Sequence, residues 1–186
     1  MVEIQKCPKL IIVTGRPGSG KSTLAQRLAN SVRCPLVARD AIKEGLVNTF
    51  GTVDVAEAEL ARRAYDIFFD TIEDMLDAGV TLIAEAAFQN KLWAPKLETF
   101  QSVADIRIII CHVEAETAKA RFLARYEADP GRRHFHGYEG QQAPDIWRYD
   151  RYDPPNMFAP KLTVDTTQDY RPRFDDIVAF ALNHPR

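Results

Sequence analysis

Leu10 to Val13 is an unbroken apolar run, rich in β-branched residues and bounded by Gly15, the pattern of a strand buried on both faces of a parallel sheet. After the glycine-rich stretch that follows, Leu24, Ala25, Leu28 and Ala29 recur at helical spacing. Pro35 to Ala38 predicts a short second strand ending in Arg39-Asp40, and Ile42, Leu46, Val47 and Phe50 predict a helix stopped by Gly51. Asp54 reads as the N-cap of a long helix with Ala56, Leu60, Ala64, Ile67, Phe68, Ile72 and Met75 on one face and Gly79 as its stop.

Val80 to Ala84 predicts a third strand, and Lys91 to Ser102 a helix bent or restarted near Pro95. Ile106 to Val113 carries the strongest β signal of the chain, and Glu114 to Ala128 reads as helical. From Asp129 to Pro160 the composition turns to Gly, Pro, His, Arg and aromatics, which predicts a loop or lid around one short helix near Ile146 to Tyr152. Leu162 to Val164 predicts a fifth strand and Phe174 to Leu182 a closing helix. Strands alternating with helices call for a doubly wound α/β domain, its functional loops at the C-terminal ends of parallel strands. With 186 residues the whole chain, 1–186, is expected to form a single domain, its lid at about 118–158.

Composition narrows the partners. The 24 Lys and Arg against 26 Asp and Glu leave a net charge of -2. No chain-wide positive field exists to hold nucleic acid, so such a partner would need a local patch. Cys7, Cys34 and Cys111 form no CxxC pair, which argues against a zinc site or a disulfide framework and fits a reducing compartment. No segment approaches the roughly 20 apolar residues of a membrane helix, and the first residues carry no signal-peptide pattern. A cytoplasmic protein without a membrane partner is expected; the sequence is silent on oligomeric state.

The chemistry centres on GRPGSGKS, Gly15 to Ser22, which matches the phosphate-loop pattern G-x-x-x-x-G-K-[ST] between a predicted strand and a predicted helix. Gly15, Gly18 and Gly20 permit the backbone angles by which successive N–H groups surround a β-phosphate, and the helix N-terminus adds partial positive charge. Lys21 is expected to stand exposed in the empty loop and to bridge β- and γ-phosphates when they arrive, while Ser22 gives its hydroxyl to Mg²⁺. The remaining loop positions, Pro17, Ser19 and Thr23, complete the nucleotide-binding set. A GTPase would need Asn-Lys-x-Asp, but Asn90-Lys91 runs on to Leu92-Trp93; no LSGGQ-like signature occurs, and the chain is short for an AAA+ motor with its helical lid domain.

Five stretches in order, GRPGSGKST at 15 to 23, ARDAIKE at 38 to 44, TLIAEAAF at 81 to 88, AKARFLAR at 118 to 125 and LTVDTT at 162 to 167, resemble the P-loop small-molecule kinase group. That group includes chloramphenicol phosphotransferase, zeta toxins and the 5′-kinase domain of polynucleotide kinase. The resemblance implies a three-layer P-loop NTPase fold of the α/β class with a five-stranded parallel sheet and a small helical or loop lid. It implies an ATP- and Mg²⁺-dependent kinase that phosphorylates a hydroxyl of a small-molecule acceptor. The alternatives are a nucleotide or polynucleotide 5′-kinase, or a nucleotide-dependent switch without turnover.

On that resemblance, Asp40 matches the aspartate that takes the acceptor proton, a role a carboxylate suits because a loose transition state needs orientation more than a strong base. It equally reads as the N-cap of the following helix. Glu85, at the end of the third strand, stands where a Walker B acid serves Mg²⁺ or the acceptor; the alternative is a buried carboxylate paired to a lysine or backbone donor. Arg121 and Arg125, four apart and followed by Arg132-Arg133, resemble lid arginines that neutralise charge on the transferred phosphoryl group and contact the nucleotide. Otherwise they form a solvated face paired with Glu127 and Asp129.

Outside these motifs, His134 and His136 suggest an acceptor pocket rather than zinc, lacking a third ligand nearby. Trp147, Tyr149, Tyr152 and Phe158 read as lid packing. Asp165-Thr166-Thr167 follows the last strand, beside the expected adenine or as a cap and turn. Acceptor specificity is expected from the helix after Asp40, the Asp54 helix and the stretch from Gly131 to Asn156.

Overall fold

Alternate residues of the first strand face opposite layers, and this divides the core in two. The computed structural model describes residues 7–51, 56–129, 135 and 152–182. Strand β1 (Lys9–Thr14) sends Leu10 and Ile12 to one face and Ile11 and Val13 to the other, all with 0% exposure. Both faces are therefore covered by helices, as the unbroken apolar run requires.

Five parallel strands form one sheet in the order β2-β3-β1-β4-β5, from β2 (Leu36–Ala38), β3 (Leu82–Glu85), β4 (Asp105–His112) and β5 (Lys161–Asp165). This matches the predicted fold class. Helices α1 (Lys21–Val32) and α6 (Phe174–Leu182) cover one face, where Leu24, Leu28, Ile83, Ile109, Val164 and Ile177 form a core. On the opposite face α3 (Glu57–Asp77) and α4 (Asn90–Thr99) bury Phe68, Phe69, Phe88, Trp93 and Phe100 as an aromatic cluster against Leu10, Ile12 and Ile108. The Phe88 and Trp93 centroids lie 4.8 Å apart near the edge-to-face arrangement that ring quadrupoles favour.

Helix α2 (Arg39–Phe50) starts one residue after β2, with extended Ala38 at its N-cap and Asp40 inside its first turn. The expected capping role of Asp40 is thereby corrected: the strand runs so directly into the helix that Ala38 takes the cap, and the Asp40 carboxylate is left for other partners. The long helix α3 begins at Glu57 with Ala56 at the cap; Asp54 lies outside the described residues. Helix α4 does not restart at Pro95 but continues to Thr99, with Trp93, Ala94 and Leu97 anchoring it in the core on both sides of the missing N–H. It then tightens into a 3₁₀ turn, Phe100–Ser102.

Helix α5 (Ala115–Ala128) runs from β4 toward the predicted lid. The predicted short helix and Arg132, Arg133, His134, His136, Tyr138, Trp147 and Tyr149 lie outside the described residues. Where description resumes, Tyr152 to Pro160 crosses back over the molecule, with Pro155 and Met157 buried. Among the described residues no helix is long and apolar enough to cross a membrane.

Candidate active site

The β1 strand ends at Thr14, the chain turns through Gly15 to Gly20, and α1 opens at Lys21. Two glycines of this loop are dictated by their surroundings. A Cβ on Gly15 would lie 2.6 Å from the Cys111 carbonyl and 2.5 Å from Ser19 Oγ. On Gly18, at φ +81, it would lie 2.0 Å from the Ala118 carbonyl of α5. The bare Gly18 backbone is what lets α5 pack onto the loop and bring Arg121 and Arg125, one and two turns on, to the same cleft. Ser19 Oγ is buried in this loop with no hydrogen-bond partner, an unfilled polar site that suits a phosphate oxygen.

Lys21 is 8% exposed rather than solvent-facing, which corrects the expectation of an exposed lysine. Parallel pairing of β1 with β3 sets Val13 beside Glu85, so the acid at the end of β3 meets the first residue of α1. Lys21 Nζ lies 3.7 Å from Glu85 Oε1, and the Ser22 hydroxyl is close enough to the same carboxylate to favour its charged form. Burial pushes the Glu85 carboxyl above its usual range; Lys21 and Ser22 pull it down, while the neighbouring Asp40 charge adds to the rise. The buried pairing expected as the alternative for Glu85 is present, and its partner is the phosphate-loop lysine itself. Asp40 borders the same mouth, its Oδ1 3.5 Å from Arg39 Nη1. Thus Lys21, Ser22, Asp40 and Glu85 come together at the C-terminal edge of the sheet.

On the other side of the loop opens a cleft of about 900 Å³ lined by Gly18, Gly20, Thr23, Arg121, Arg125 and Thr166 at its near end. Arg121 donates to the carbonyls of Thr166 at 3.0 Å and Thr167 at 2.5 Å. It is therefore neither a solvated arginine nor one aimed at the phosphates alone: it fastens α5 to the loop after β5. Thr166 is buried, its hydroxyl 2.6 Å from the Ser19 carbonyl and 3.0 Å from that of His112. Asp165 accepts the Thr167 N–H at 2.8 Å, so its carboxylate shapes the turn. The turn reading of Asp165 stands, the closing helix starting only at Phe174, while Thr166 joins the cleft wall.

Three features escaped the sequence. Arg27 lines the far end of the cleft, its guanidinium 4.0 Å from the Phe174 ring centroid. Lys43, on α2, is buried and joined to Glu57 of α3 at 3.0 Å, which ties together the two helices flanking the Asp40 mouth. Tyr152, expected as lid packing, hydrogen-bonds through its phenol to the Thr14 hydroxyl at the root of the phosphate loop. Arg27 and Tyr152 belong to no motif; Lys43 lies inside ARDAIKE, where its place on the inner face of a helix left a periodic signal. Phe158, expected as lid packing, is fully exposed. Burial pushes the Cys111 thiol up to about 12, which disfavours its thiolate form.

A family model described as AAA domain, AAA_33, matches residues 10–143, more than half of the chain. A candidate kinase of Chloroflexus aurantiacus shares 29% identity over 97% of this chain and 100% of its own, with a TM-score of 0.81. A sugar kinase of Janibacter sp. HTCC2649 (15% identity, TM-score 0.61) covers 95% of both chains. The Mycobacterium tuberculosis APS kinase, solved with AMPPNP and APS, has 18% identity and a TM-score of 0.55 over 95% of this chain and 96% of its own. No curated protein sequence matches. The family match extends from β1 through the phosphate loop, the Asp40 and Glu85 strand ends and α5, and the chain belongs to this AAA_33 family of P-loop kinases.

Proposed function

We propose that the protein transfers the γ-phosphoryl group of ATP to a hydroxyl of a small-molecule acceptor. The observation that carries this reading is the meeting of Lys21, Ser22 and Glu85 with Asp40 at one strand-end mouth, beside a cleft of about 900 Å³. The triphosphate occupies the loop, and Lys21 leaves Glu85 for the β- and γ-phosphates. Asp40 accepts the acceptor proton, and Arg121 and Arg125 close the nucleotide side.

The oxygen donors of Ser22 and Glu85, close neighbours at the loop, are the hard ligands that suit Mg²⁺. When bound, the ion supplies neutralisation of charge on the β- and γ-oxygens. A net charge of -2 and the near end-to-end likeness to a sugar kinase and an APS kinase support an acceptor of small-molecule size. The three free thiols suit the cytoplasm, where ATP is supplied.

The test joins binding to turnover. Mg²⁺ with ATP at millimolar concentration should raise the melting temperature by mass action. Slow ATP hydrolysis should then be stimulated by one member of a panel of sugars, other alcohols, antibiotics and 5′-hydroxyl oligonucleotides. Stimulation by the oligonucleotides alone would move the acceptor to nucleic acid. No melting shift would overturn the reading.

A further inference from the structure

Thr14, the last residue of β1, is wholly buried and its hydroxyl joins two distant segments. Its Oγ1 accepts the Phe88 N–H at 3.1 Å, three residues beyond Glu85, and is hydrogen-bonded to the phenol of Tyr152. The phenol sits beside the backbone of Gly15, and burial holds its ionisation well above the usual phenol range. Tyr152 is itself clamped in place. Asn90, at the start of α4, donates its N–H to the Asp153 carbonyl at 2.9 Å and accepts the Asn156 N–H on its side-chain oxygen at 2.7 Å. One chain of hydrogen bonds thus runs from residues 152–156 through Thr14 to both the start of the phosphate loop and the segment that follows Glu85.

We propose that Tyr152 is a positioning residue for phosphoryl transfer: through Thr14 its hydroxyl fixes Gly15 against Phe88, and so fixes Lys21 and Ser22 relative to Glu85. The inference rests on the kinase reading above. Beyond the β1–β3 ladder, the Ala86 N–H to Val13 carbonyl bond and the Lys21–Glu85 pair that phosphate displaces, this cross-link is what ties loop to acid where the chain turns away from the sheet at Thr14 and at Glu85. Contacts available to the base and ribose lie elsewhere, at Thr23, Arg27, Arg121 and Phe174. Loosening the link should therefore misplace the groups that meet the moving phosphoryl without removing the groups that hold the nucleotide. Misplacement of catalytic groups on the ångström scale costs up to about 10²-fold in rate.

Tyr152→Phe keeps the ring and its packing and deletes only the hydroxyl; a packing role predicts no change in rate. The readouts are ATP hydrolysis without added acceptor, ATP affinity and melting temperature. Tyr152→Phe should lower kcat by about tenfold and leave ATP affinity within about twofold of wild type. Thr14→Val should do the same, the double variant should lose no more than either alone, and Thr14→Ser, which keeps the hydroxyl, should regain the rate. Should Thr14→Val fail to fold, Tyr152→Phe carries the test alone. Wild-type kcat in Tyr152→Phe, a Thr14→Ser as slow as Thr14→Val, or equal losses of rate and affinity would overturn the proposal. A wild-type protein that hydrolyses no ATP would instead overturn the kinase reading on which it rests.

Discussion

Lys21 of the phosphate loop and Glu85 at the end of β3 form a buried ion pair, Nζ to Oε1 3.7 Å. The lysine therefore has a counter-ion of its own, which an incoming phosphate must replace. Glu85 has no comparable substitute except a proton or a cation, and that asymmetry has consequences for stability as well as for turnover.

With Glu85 raised by burial, its folded pKa lies above the ordinary carboxyl value of 4.5. The folded state then binds the proton more tightly than the unfolded state, so this stabilising contribution is complete below pH 4.5 and is lost as pH rises through the folded pKa. Melting temperature measured upward from that pH should fall more steeply for wild type than for Glu85→Gln, which cannot titrate. Parallel curves would show that Glu85 is not raised.

Replacing Lys21 by Ala should cost more than activity. An exposed loop lysine is removable without consequence for the fold, but this one leaves a buried carboxylate uncompensated. Breaking a buried pair costs roughly 3–5 kcal/mol, and the lower end applies here because Glu85 can take up a proton instead. Denaturant unfolding at neutral and acidic pH should show a stability deficit that narrows at low pH, together with near-complete loss of ATP turnover.

Arg121 donates two hydrogen bonds to the loop after β5, so its removal should loosen the nucleotide cleft. Arg121→Ala is expected to weaken ATP binding about tenfold, the scale of losing a charge-assisted hydrogen bond, and to lower the rate as well. Titration of ATP affinity against the variant checks this. A loss confined to kcat would return Arg121 to a role met only in the transition state.

Gly18→Ala introduces a Cβ 2.0 Å from the Ala118 carbonyl in a left-handed backbone position. Loop and α5 must separate. Nucleotide should no longer raise the melting temperature, while the far-ultraviolet circular dichroism of the α/β core stays intact. A normal nucleotide shift would mean that loop and helix need not touch.

Strands dense in apolar, β-branched residues were legible to within a residue, because burial leaves little choice of residue: Leu10 to Val13 and Ile106 to Val113 match the strands Lys9–Thr14 and Asp105–His112. The phosphate loop and the closing helix Phe174–Leu182 were equally plain. Helix starts were less so. Asp40 and Asp54 are good capping residues by chemistry, but Ala38 and Ala56 take those positions because strand ends and packing decide where each helix begins. Pairings across the sheet were hidden for a different reason. Lys21 meets Glu85, and Tyr152 meets Thr14, only because β3 lies beside β1 and the chain returns over both, a matter of strand order that no local pattern encodes.

The central claim, phosphoryl transfer to a hydroxyl with Asp40 as base, is met most directly by Asp40→Asn. The substitution keeps shape and hydrogen bonding but removes the base, and Asp40 is not needed as a helix cap. With ATP labelled in its γ-phosphate and the acceptor found by the panel, the quantity to measure is label transferred per unit time to the acceptor. The account predicts a fall of about 10²-fold or more with ATP affinity and melting temperature near wild type. Full transfer by Asp40→Asn would contradict it, and would pass the role of base to Glu85.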